Sequence, residues 1–369
     1  MKAVVSAGDL AEALSVAALV MPSSTTLVAY TGVLFSVHAD DAVLRLTASD
    51  GTTTLTAPIT IDSADAADGS LLVVPGPLRS FLATLPANTQ VSLTAAASCL
   101  AVEASDSPPY EFNALAATLP AGEGNVGAFT PIDFSWLPTV LAACASSASA
   151  PAGSAEAVVH VKSSPQGLLV SATDSVRVTR VVAAGVVWPY EIDAVISIKT
   201  LRLLRKLGVT AVGSHEVNRS LIFGFGDGGV CVTRTVDAPF PAVDVVLQTE
   251  NAVAVTVDVT QMRTALARLK SVAAAKSGAG SVCPLVVDVS GSELCLSMNT
   301  VDVGAGSELV PVAGSVAPIR FGVNIEYLTD AFLAVSAAQA VFSWTSPSTP
   351  LRVDDAASGV HVVLMPVKL

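Results

Sequence analysis

The sequence predicts an α+β protein made of three tandem copies of one domain, each with two helices packed on a mainly antiparallel sheet. Three features lead to this prediction: an amphipathic helix, a strand running into a polar turn, and a second helix each occur three times. They keep the same order and a period of about 125 residues. The chain is 51% hydrophobic but only 5% aromatic. Cores of small and β-branched residues suit thin layers of sheet and helix.

The first repeated feature is a short helix with apolar residues spaced four apart, which places both on one helix face. It occurs in the segments that begin at Gly8, Asp133 and Thr260. The apolar pairs are Leu10 and Leu14, Leu137 and Leu141, and Met262 and Leu266. We expect each pair to be buried against the sheet of its own copy.

The other two features repeat with the same spacing. A strand runs into a polar turn at Asp50, Asp174 and Thr300. A second helix follows a strand around Leu78, Leu201 and Tyr327. One match of this kind could arise by chance, but three in the same order indicate a triplicated domain. The predicted copies are residues 1–126, 127–248 and 249–369, with boundaries in the segments 121–127 and 247–252.

Composition restricts the class of protein. The formal net charge of −12 argues against a protein that simply coats nucleic acid, because phosphates repel it. Five scattered cysteines without a CxxC pattern indicate reduced thiols and a cytoplasmic location. Asp9 and Glu12 interrupt the apolar stretch near the start, so we expect no signal peptide, and no apolar run is long enough to span a membrane.

Motifs for catalysis are missing from the sequence. The glycine-rich segment 223–229 loosely imitates a dinucleotide fingerprint, but a strand rather than a helix follows it, which favours a hairpin. The segment 276–281 lacks the ending of a P-loop, and the four histidines are far apart with no HExxH. We therefore expect no enzymatic activity, no cofactor and no metal.

Several segments resemble the bacterial DNA polymerase III β subunit, the DNA sliding clamp family. They are ATLPAGE at 117–123, ATDSVRV at 172–178, DAPFPAVDVVL at 237–247, GVNIEYL at 322–328 and VVLMPVKL at 362–369. The resemblance covers the whole chain in order. It implies the DNA clamp fold and a head-to-tail homodimer whose six domains close a ring around duplex DNA. Such a ring is a non-enzymatic processivity factor that binds the polymerase III α subunit, the clamp loader and other proteins with a clamp-binding motif.

The resemblance also implies a partner-peptide cleft between the second and third domains. The residues it assigns to the cleft are Thr173, Ser175, Val176, Arg177, Val178, Pro241, Val245, Val246, Asn324, Tyr327, Val363, Leu364, Met365, Pro366 and Val367. Apolar, adaptable walls of this kind accept leucine and phenylalanine side chains. An ordinary core strand at 362–367 and ordinary helix packing of Tyr327 are the competing interpretation.

This cleft departs from the family pattern. The family usually has Gly-His in place of Ser175-Val176, and a basic residue in place of Val245. Peptide antibiotics bind clamps of this family in the same cleft. The substitutions therefore suggest a divergent or duplicate clamp with altered antibiotic sensitivity.

Basic residues are unevenly distributed and concentrate on the repeated helices. The candidates for a DNA-facing surface are Arg79, Lys199, Arg202, Arg205, Lys206, Arg263, Arg268 and Lys270. Weak, non-specific phosphate contacts would let a ring slide. For any one of these residues taken alone, a solvated helix face is the better explanation. Their grouping on equivalent helices favours an inner surface, to which the first copy contributes only Arg79.

One further expectation concerns assembly, and an alternative function is left open. A dimer contact would join the edge strand near 111–118 to the region near Ser271 and Val272, because pairing protects exposed strand edges. The alternative function is a three-repeat binding protein or an enzyme with an unrecognised site. Low basic content in the first copy and the divergent cleft are its main support.

Overall fold

A computed structural model describes residues 1–96, 98–104, 108–120, 128–151, 156–214, 219–248, 250–273, 284–300, 303–355 and 357–369. The chain forms two compact units. The first unit contains residues 1–134 and 202–235, and the second contains residues 135–201 and 236–369. No helix in the described part of the chain is long and apolar enough to cross a membrane.

The described residues of the first copy form two α-helices and eight strands. They are β1 (Lys2–Ser6), α1 (Ala7–Ala17), β2 (Val33–His38), β3 (Val43–Ser49), β4 (Thr53–Thr60), β5 (Gly69–Val73), α2 (Pro75–Leu82), β6 (Gln90–Ala95), β7 (Cys99–Ala104) and β8 (Tyr110–Asn113). The hydroxyl of Ser6 accepts a hydrogen bond from the Asp9 amide (3.0 Å) and caps α1. Leu10 and Leu14 are fully buried, as their spacing predicts.

The second copy repeats this order after residue 127. It contains β9 (Phe129–Pro131), α3 (Leu137–Cys144), β10 (Val158–Ser164), β11 (Gly167–Thr173), β12 (Arg177–Ala184), β13 (Asp193–Ser197), α4 (Ile198–Leu207), β14 (Val209–Gly213), β15 (Ser220–Phe225) and β16 (Gly229–Arg234). Phe225 pairs with Gly229 across the turn, so the glycine-rich segment is a hairpin, as predicted. A short helix α5 (Asp244–Leu247) follows in the connector.

The third copy has the same plan with longer strands. It contains β17 (Val253–Asp258), α6 (Val259–Ala273), β18 (Pro284–Thr300), β19 (Gly304–Asn324), α7 (Ile325–Ala334), β20 (Gln339–Trp344), β21 (Leu351–Asp355) and β22 (Val360–Leu364). β18 and β19 pair in two stretches with register shifts around Gly291. Met262 and Leu266 of α6 are fully buried, again as predicted.

Sheet topology confirms the triplication. In each copy the first strand joins the strands after the second helix, in the orders β1-β6-β7-β8, β9-β14-β15-β16 and β17-β20-β21-β22. The strands between the two helices form a second block, with the orders β5-β2-β3-β4 and β13-β10-β11-β12 in the first two copies. The helices pack on these strands, so each copy is the predicted α+β layer.

Sheets continue from one copy into the next. In the first unit β4 pairs with β16, and Leu55 lies opposite Cys231. In the second unit β12 pairs with β22, and Val178 lies opposite Val363. Continuous hydrogen bonding explains why the compact units do not coincide with the three copies. Residues 126, 127 and 249, at the predicted boundaries 126/127 and 248/249, lie outside the described part, and the three-domain division stays a prediction.

The core of the second unit is unusually aromatic for this chain. Phe342 lies at the centre, with ring centroids 5.4 Å from Trp344 and 6.2 Å from both Phe321 and Phe332. All four side chains are almost completely buried. Aromatic pairs at these distances add roughly 1 kcal/mol each to the burial of their area. This core fixes α7 and β20, which support the surface described next.

Candidate partner-binding patch and basic helices

An apolar surface forms where β12, β22 and α5 meet in the second unit. Val178 and Val363 are opposite each other in the sheet, and Val243 and Leu247 pack on them. Phe240 and Val246 pack against the same cluster and are partly buried. The short helix α5 is therefore held by its apolar side chains, and we call this surface and its rim the apolar patch.

Polar contacts fix α5 against the sheet. Nη1 of Arg180 on β12 lies 2.7 Å from Asp244 at the start of α5. Nη1 of Arg352 donates to the carbonyl of Leu247 at its end (3.0 Å). The same guanidinium and the ring of His361 contact the carboxylate of Asp354. Burial opposes the charge of Asp354, but these two neighbours hold its pKa below the ordinary value.

Three apolar side chains form the exposed rim of the patch. Val245 is 72% exposed, Met365 is 41% exposed and Val176 is 40% exposed. The amide of Met365 donates to the carbonyl of Val176 (3.0 Å), so these two residues are adjacent. Val245 lies on α5, between residues whose side chains pack on the sheet. The rim therefore presents three exposed apolar side chains.

The turn that precedes β12 is closely hydrogen-bonded. The hydroxyl of Thr173 donates to the carbonyl of Arg177 (2.8 Å) and accepts from the amide of Ser175 (3.1 Å). The carboxylate of Asp174 accepts from the amides of Val176 (3.1 Å) and Arg177 (3.0 Å). Ser175 has a φ of +73°, a conformation that costs a residue with a side chain about 1 kcal/mol. A glycine would adopt this conformation without that cost.

Arg177 is buried and holds the turn in place. Its Nε and Nη1 contact the carboxylates of Asp174 (2.9 Å) and Asp330 (2.6 Å), and Nη2 donates to the carbonyl of Ser146. The guanidinium also lies over the ring of Tyr327, 4.3 Å from the centroid. Because neighbouring strand residues point to opposite faces, Arg177 and Val178 lie on opposite faces of the sheet. Arg177 and Tyr327 are thus separated from the α5 side of the patch.

The remaining predicted cleft residues have mainly structural contacts. The side chain of Asn324 is buried and caps α7 by accepting from the amide of Glu326 (3.0 Å). Leu364 is fully buried. The carbonyl of Pro241 accepts from Val243 (2.8 Å), and the amide of Val367, one residue after the half-buried Pro366, donates to Gly322 (2.9 Å).

The predicted cleft residues are therefore divided between two groups. Val178, Val246 and Val363 meet at α5, with Val176, Val245 and Met365 at the rim. Thr173, Ser175, Arg177 and Tyr327 meet around the turn. Sequence reasoning missed the side chains that connect each group. They are Phe240, Val243, Leu247, Arg180 and Asp244 in the first group, and Asp174 and Asp330 in the second. The matching segments 172–178 and 237–247 contained most of them.

The basic residues of α6 are engaged by the protein itself. Arg263 donates to the carbonyls of Phe332 (2.9 Å) and Val335 (2.5 Å) near the end of α7. Arg268 lies 3.2 Å from Glu308, and Lys270 lies 2.5 Å from Glu326. These contacts neutralise or occupy every base of α6.

The bases of α4 are different. Lys199 contacts Glu156 (2.9 Å), whose pKa is lowered first by a hydrogen bond with Ser197 and further by Lys199. Arg202, Arg205 and Lys206 are exposed, and within the described ranges none of them forms an ion pair. On α2, Nη2 of Arg79 is 3.5 Å from the hydroxyl of Ser15, a neutral partner. Of the predicted DNA-facing residues, the α4 trio therefore carries the most available charge.

The fold defined by this geometry is the DNA sliding clamp fold. The structure matches a sliding clamp from Caulobacter crescentus with a TM-score of 0.86 and 21% identity, and the DNA polymerase III subunit β from Pseudomonas aeruginosa with 0.85 and 20%. Both matches cover 100% of each chain. A further match, at a TM-score of 0.84 and 20% identity, is a Pseudomonas aeruginosa clamp bound to griselimycin, covering 100% of both chains.

Sequence comparison gives the family. Residues 245–368 match the model of the DNA polymerase III beta subunit, C-terminal domain. A beta sliding clamp of Caulobacter vibrioides is 28% identical over 46% of this chain and 44% of its own length. One of Synechococcus elongatus is 26% identical over 57% of each. The aligned stretches thus span about half the length of these relatives. By sequence, the last third of the chain is therefore similar to the DNA polymerase III beta subunit family.

Proposed function

We propose that this protein is a DNA sliding clamp, a processivity factor that encircles duplex DNA and has no catalytic site. One observation carries the proposal. The strand that follows the repeated polar turn pairs with the last strand of the next copy, in β4–β16 and again in β12–β22. The equivalent strand of the third copy is the part of β19 that begins at Gly304, and among the described residues no last strand of another copy pairs with it.

Two strand edges have no neighbouring strand in the described part of the chain. Residues 304–311 of β19 pair with β18 on one side, and the described part of the chain offers no strand to the other side. β8 ends the four-stranded sheet of the first unit. Leu309 is 64% exposed on the first edge, and Tyr110 is exposed on the second. Long exposed edges with apolar side chains are usually covered by another chain.

In a head-to-tail homodimer, each of these two edges would pair with the other edge on the partner protomer. We propose that β8 of one protomer pairs with residues 304–311 of the other, which repeats the pairing seen twice within the chain. Val272 supports this placement, because it lies beside the start of β19: a Cβ added at Gly304 would be 3.9 Å from Val272. Since a heterologous contact used twice can close a ring, two protomers supply six domains.

In this proposal the ring binds DNA without reading sequence. The exposed basic residues of α4 make most of the phosphate contacts, with smaller contributions from the predicted DNA-facing residues of α2 and α6, and the contacts are weak, which permits sliding. Partners are the polymerase III α subunit, the clamp loader and other proteins with a clamp-binding motif, which dock a peptide at the apolar patch and at the turn beside it. The place of action is the cytoplasm.

Altered antibiotic sensitivity is a further part of the proposal. It rests on the apolar rim residues Val176 and Val245. The sliding clamp family that this sequence resembles usually has histidine in place of Val176 and a basic residue in place of Val245. We expect griselimycin to bind this protein more weakly than it binds an ordinary clamp, by about two- to fivefold if one favourable polar contact is lost. Calorimetric titration of both proteins measures this, and equal affinities would refute it.

Light scattering coupled to size-exclusion chromatography tests the assembly. We expect a dimer at micromolar concentration, with twice the 37.3 kDa mass of the chain. Leu309→Lys places a charge on the proposed interface and should shift the equilibrium toward monomer. Leu333→Lys is the matched control, because Leu333 is exposed but lies on α7 away from the edge. A strict monomer, or equal effects of both changes, would contradict the ring.

A further inference from the structure

A cavity of about 400 Å³ lies in the second copy, between the turn that joins β10 to β11 and the segment that follows β12. The apolar patch is at the opposite end of β12, whose eight residues span roughly 25 Å. The cavity is therefore separate from the proposed docking surface. Its volume is near the lower limit of ligand pockets, which suits a single side chain or another small group.

Hydrogen bonds hold the walls of this cavity in place. The amide of Ser163 donates to the carbonyl of Ile192 (2.8 Å), and the hydroxyl of Ser163 accepts from the amide of Ile192 (3.1 Å). The amide of Gly185 donates to the carbonyl of Gln166 (3.1 Å). These bonds join the turn to the segment that follows β12 at both of its ends. The cavity is therefore formed before any ligand binds, which lowers the entropy cost of binding.

Two aromatic side chains of the wall, Trp188 and Tyr190, lie nearly at right angles to each other. Their ring centroids are 6.3 Å apart and their planes are inclined by 87°. Burial raises the pKa of the Tyr190 phenol, which therefore stays uncharged near neutral pH. Val187, which is 81% exposed, adds apolar surface to the same wall. Aromatic rings have a negative face, so a wall of this kind favours organic cations over anions.

Glu191 is the one charged side chain among the described residues that line the cavity. It is exposed, and within the described ranges it forms no ion pair. The two basic residues of β10, His160 and Lys162, contact Asp193 instead, at 2.6 and 3.3 Å. The Glu191 carboxylate therefore gives the cavity a negative charge that no base of the described chain neutralises.

We infer that this cavity binds the guanidinium group of an arginine side chain on a partner protein. A guanidinium is flat, so it can stack on an aromatic ring while its N–H groups donate to a carboxylate as a fork. The compact and strongly hydrated ammonium of lysine matches a ring and a carboxylate less well. The net charge of −12 also favours encounters between this chain and basic partners.

Ligand-observed NMR titration of the full-length protein tests the inference. The probes are two short peptides of glycine and serine around one central residue, arginine in one and citrulline in the other. Citrulline has nearly the same shape as arginine but no charge. We expect the arginine peptide to bind about three- to tenfold more tightly, the range of one exposed charge pair with one cation–ring contact. Spermidine is the third probe, and tighter binding of this free polyamine would overturn the assignment to a protein arginine.

Glu191→Gln should abolish the preference for the arginine peptide, because it removes the charge of the cavity and keeps the side chain's size. Glu103→Gln is the matched control, since Glu103 is an exposed glutamate on β7 of the first copy. It should leave the preference unchanged, and thermal melting should show both variants folded. Equal binding of the two peptides, no binding of either at millimolar concentration, or equal effects of the two variants would overturn the inference. None of these outcomes bears on the proposed ring, because dimer formation does not use this cavity.

Discussion

Helices α4 and α6 each carry several basic residues, but their charges have different uses. On α4, Arg202, Arg205 and Lys206 are exposed, and no acidic partner for them occurs in the part of the chain that the structure describes. On α6, Arg263 caps carbonyls near the end of α7, while Arg268 and Lys270 contact Glu308 and Glu326. The number of basic residues on a helix is therefore a poor measure of the charge it can offer to phosphates.

The helices of the first copy carry few basic residues. Its helix α1 carries Asp9 and Glu12, and α2 offers only Arg79. A ring built from these copies would hold DNA mainly through α4 of each protomer. Variants of α4 and α6 can distinguish basic residues that are available to DNA from those that contact the protein itself.

Reversing the α4 charges should have the largest effect. Arg202→Glu, Arg205→Glu and Lys206→Glu together replace attraction by repulsion at each α4. We expect retention on circular DNA to fall by about tenfold or more at moderate salt, with a shallower dependence of binding on salt concentration. Filter retention over a salt series measures both, and light scattering should show an intact dimer. Unchanged retention would mean that α4 does not face DNA.

Arg263→Ala should affect stability more than DNA binding. The change removes donors from carbonyls near the end of α7, and each lost hydrogen bond costs about 1 kcal/mol. We expect a loss of about 1–3 kcal/mol in the free energy of unfolding, measured by urea denaturation. Arg263→Lys keeps the charge but not the fork of donors and should recover only part of the loss. A stable Arg263→Ala protein that no longer binds DNA would assign Arg263 to phosphate contact.

The double change Arg268→Ala and Lys270→Ala should have the smallest effect. Both residues form ion pairs at the surface, and such pairs contribute about 1 kcal/mol or less. Retention on DNA should change by less than about threefold, because the freed Glu308 and Glu326 only add modest repulsion. A loss as large as that of the α4 variant would show that these ion pairs open in favour of phosphates.

The periodic features of the fold were predictable from the sequence, because they depend on local spacing. The apolar pairs Leu10/Leu14 and Met262/Leu266 are buried as predicted. Longer-range pairings were not predictable. Arg177 meets Asp330 from a distant segment, and no local pattern distinguishes it from an exposed cleft base. Asn324 did carry a recognisable signal, since an asparagine just before a helix is a common cap.

The positions of the cleft side chains were also only partly predictable from the sequence. The segments that family resemblance assigned to the cleft include Val176 and Met365, which are joined by a backbone hydrogen bond in the second unit. It could not separate side chains on the two faces of one strand, such as Arg177 and Val178, or detect that Leu364 is fully buried. Orientation in a sheet depends on register with a distant strand, and this register is fixed only by tertiary pairing.

The most direct test of the account is whether the protein is held on DNA by topology. The protein is loaded onto nicked circular DNA with a clamp loader and isolated by gel filtration, and the circle is then cut once with a restriction enzyme. We predict that the protein elutes with the circle and is released when the DNA becomes linear, because a ring slides off a free end. A protein that stays bound after the cut, or that never elutes with the closed circle, would contradict the sliding clamp.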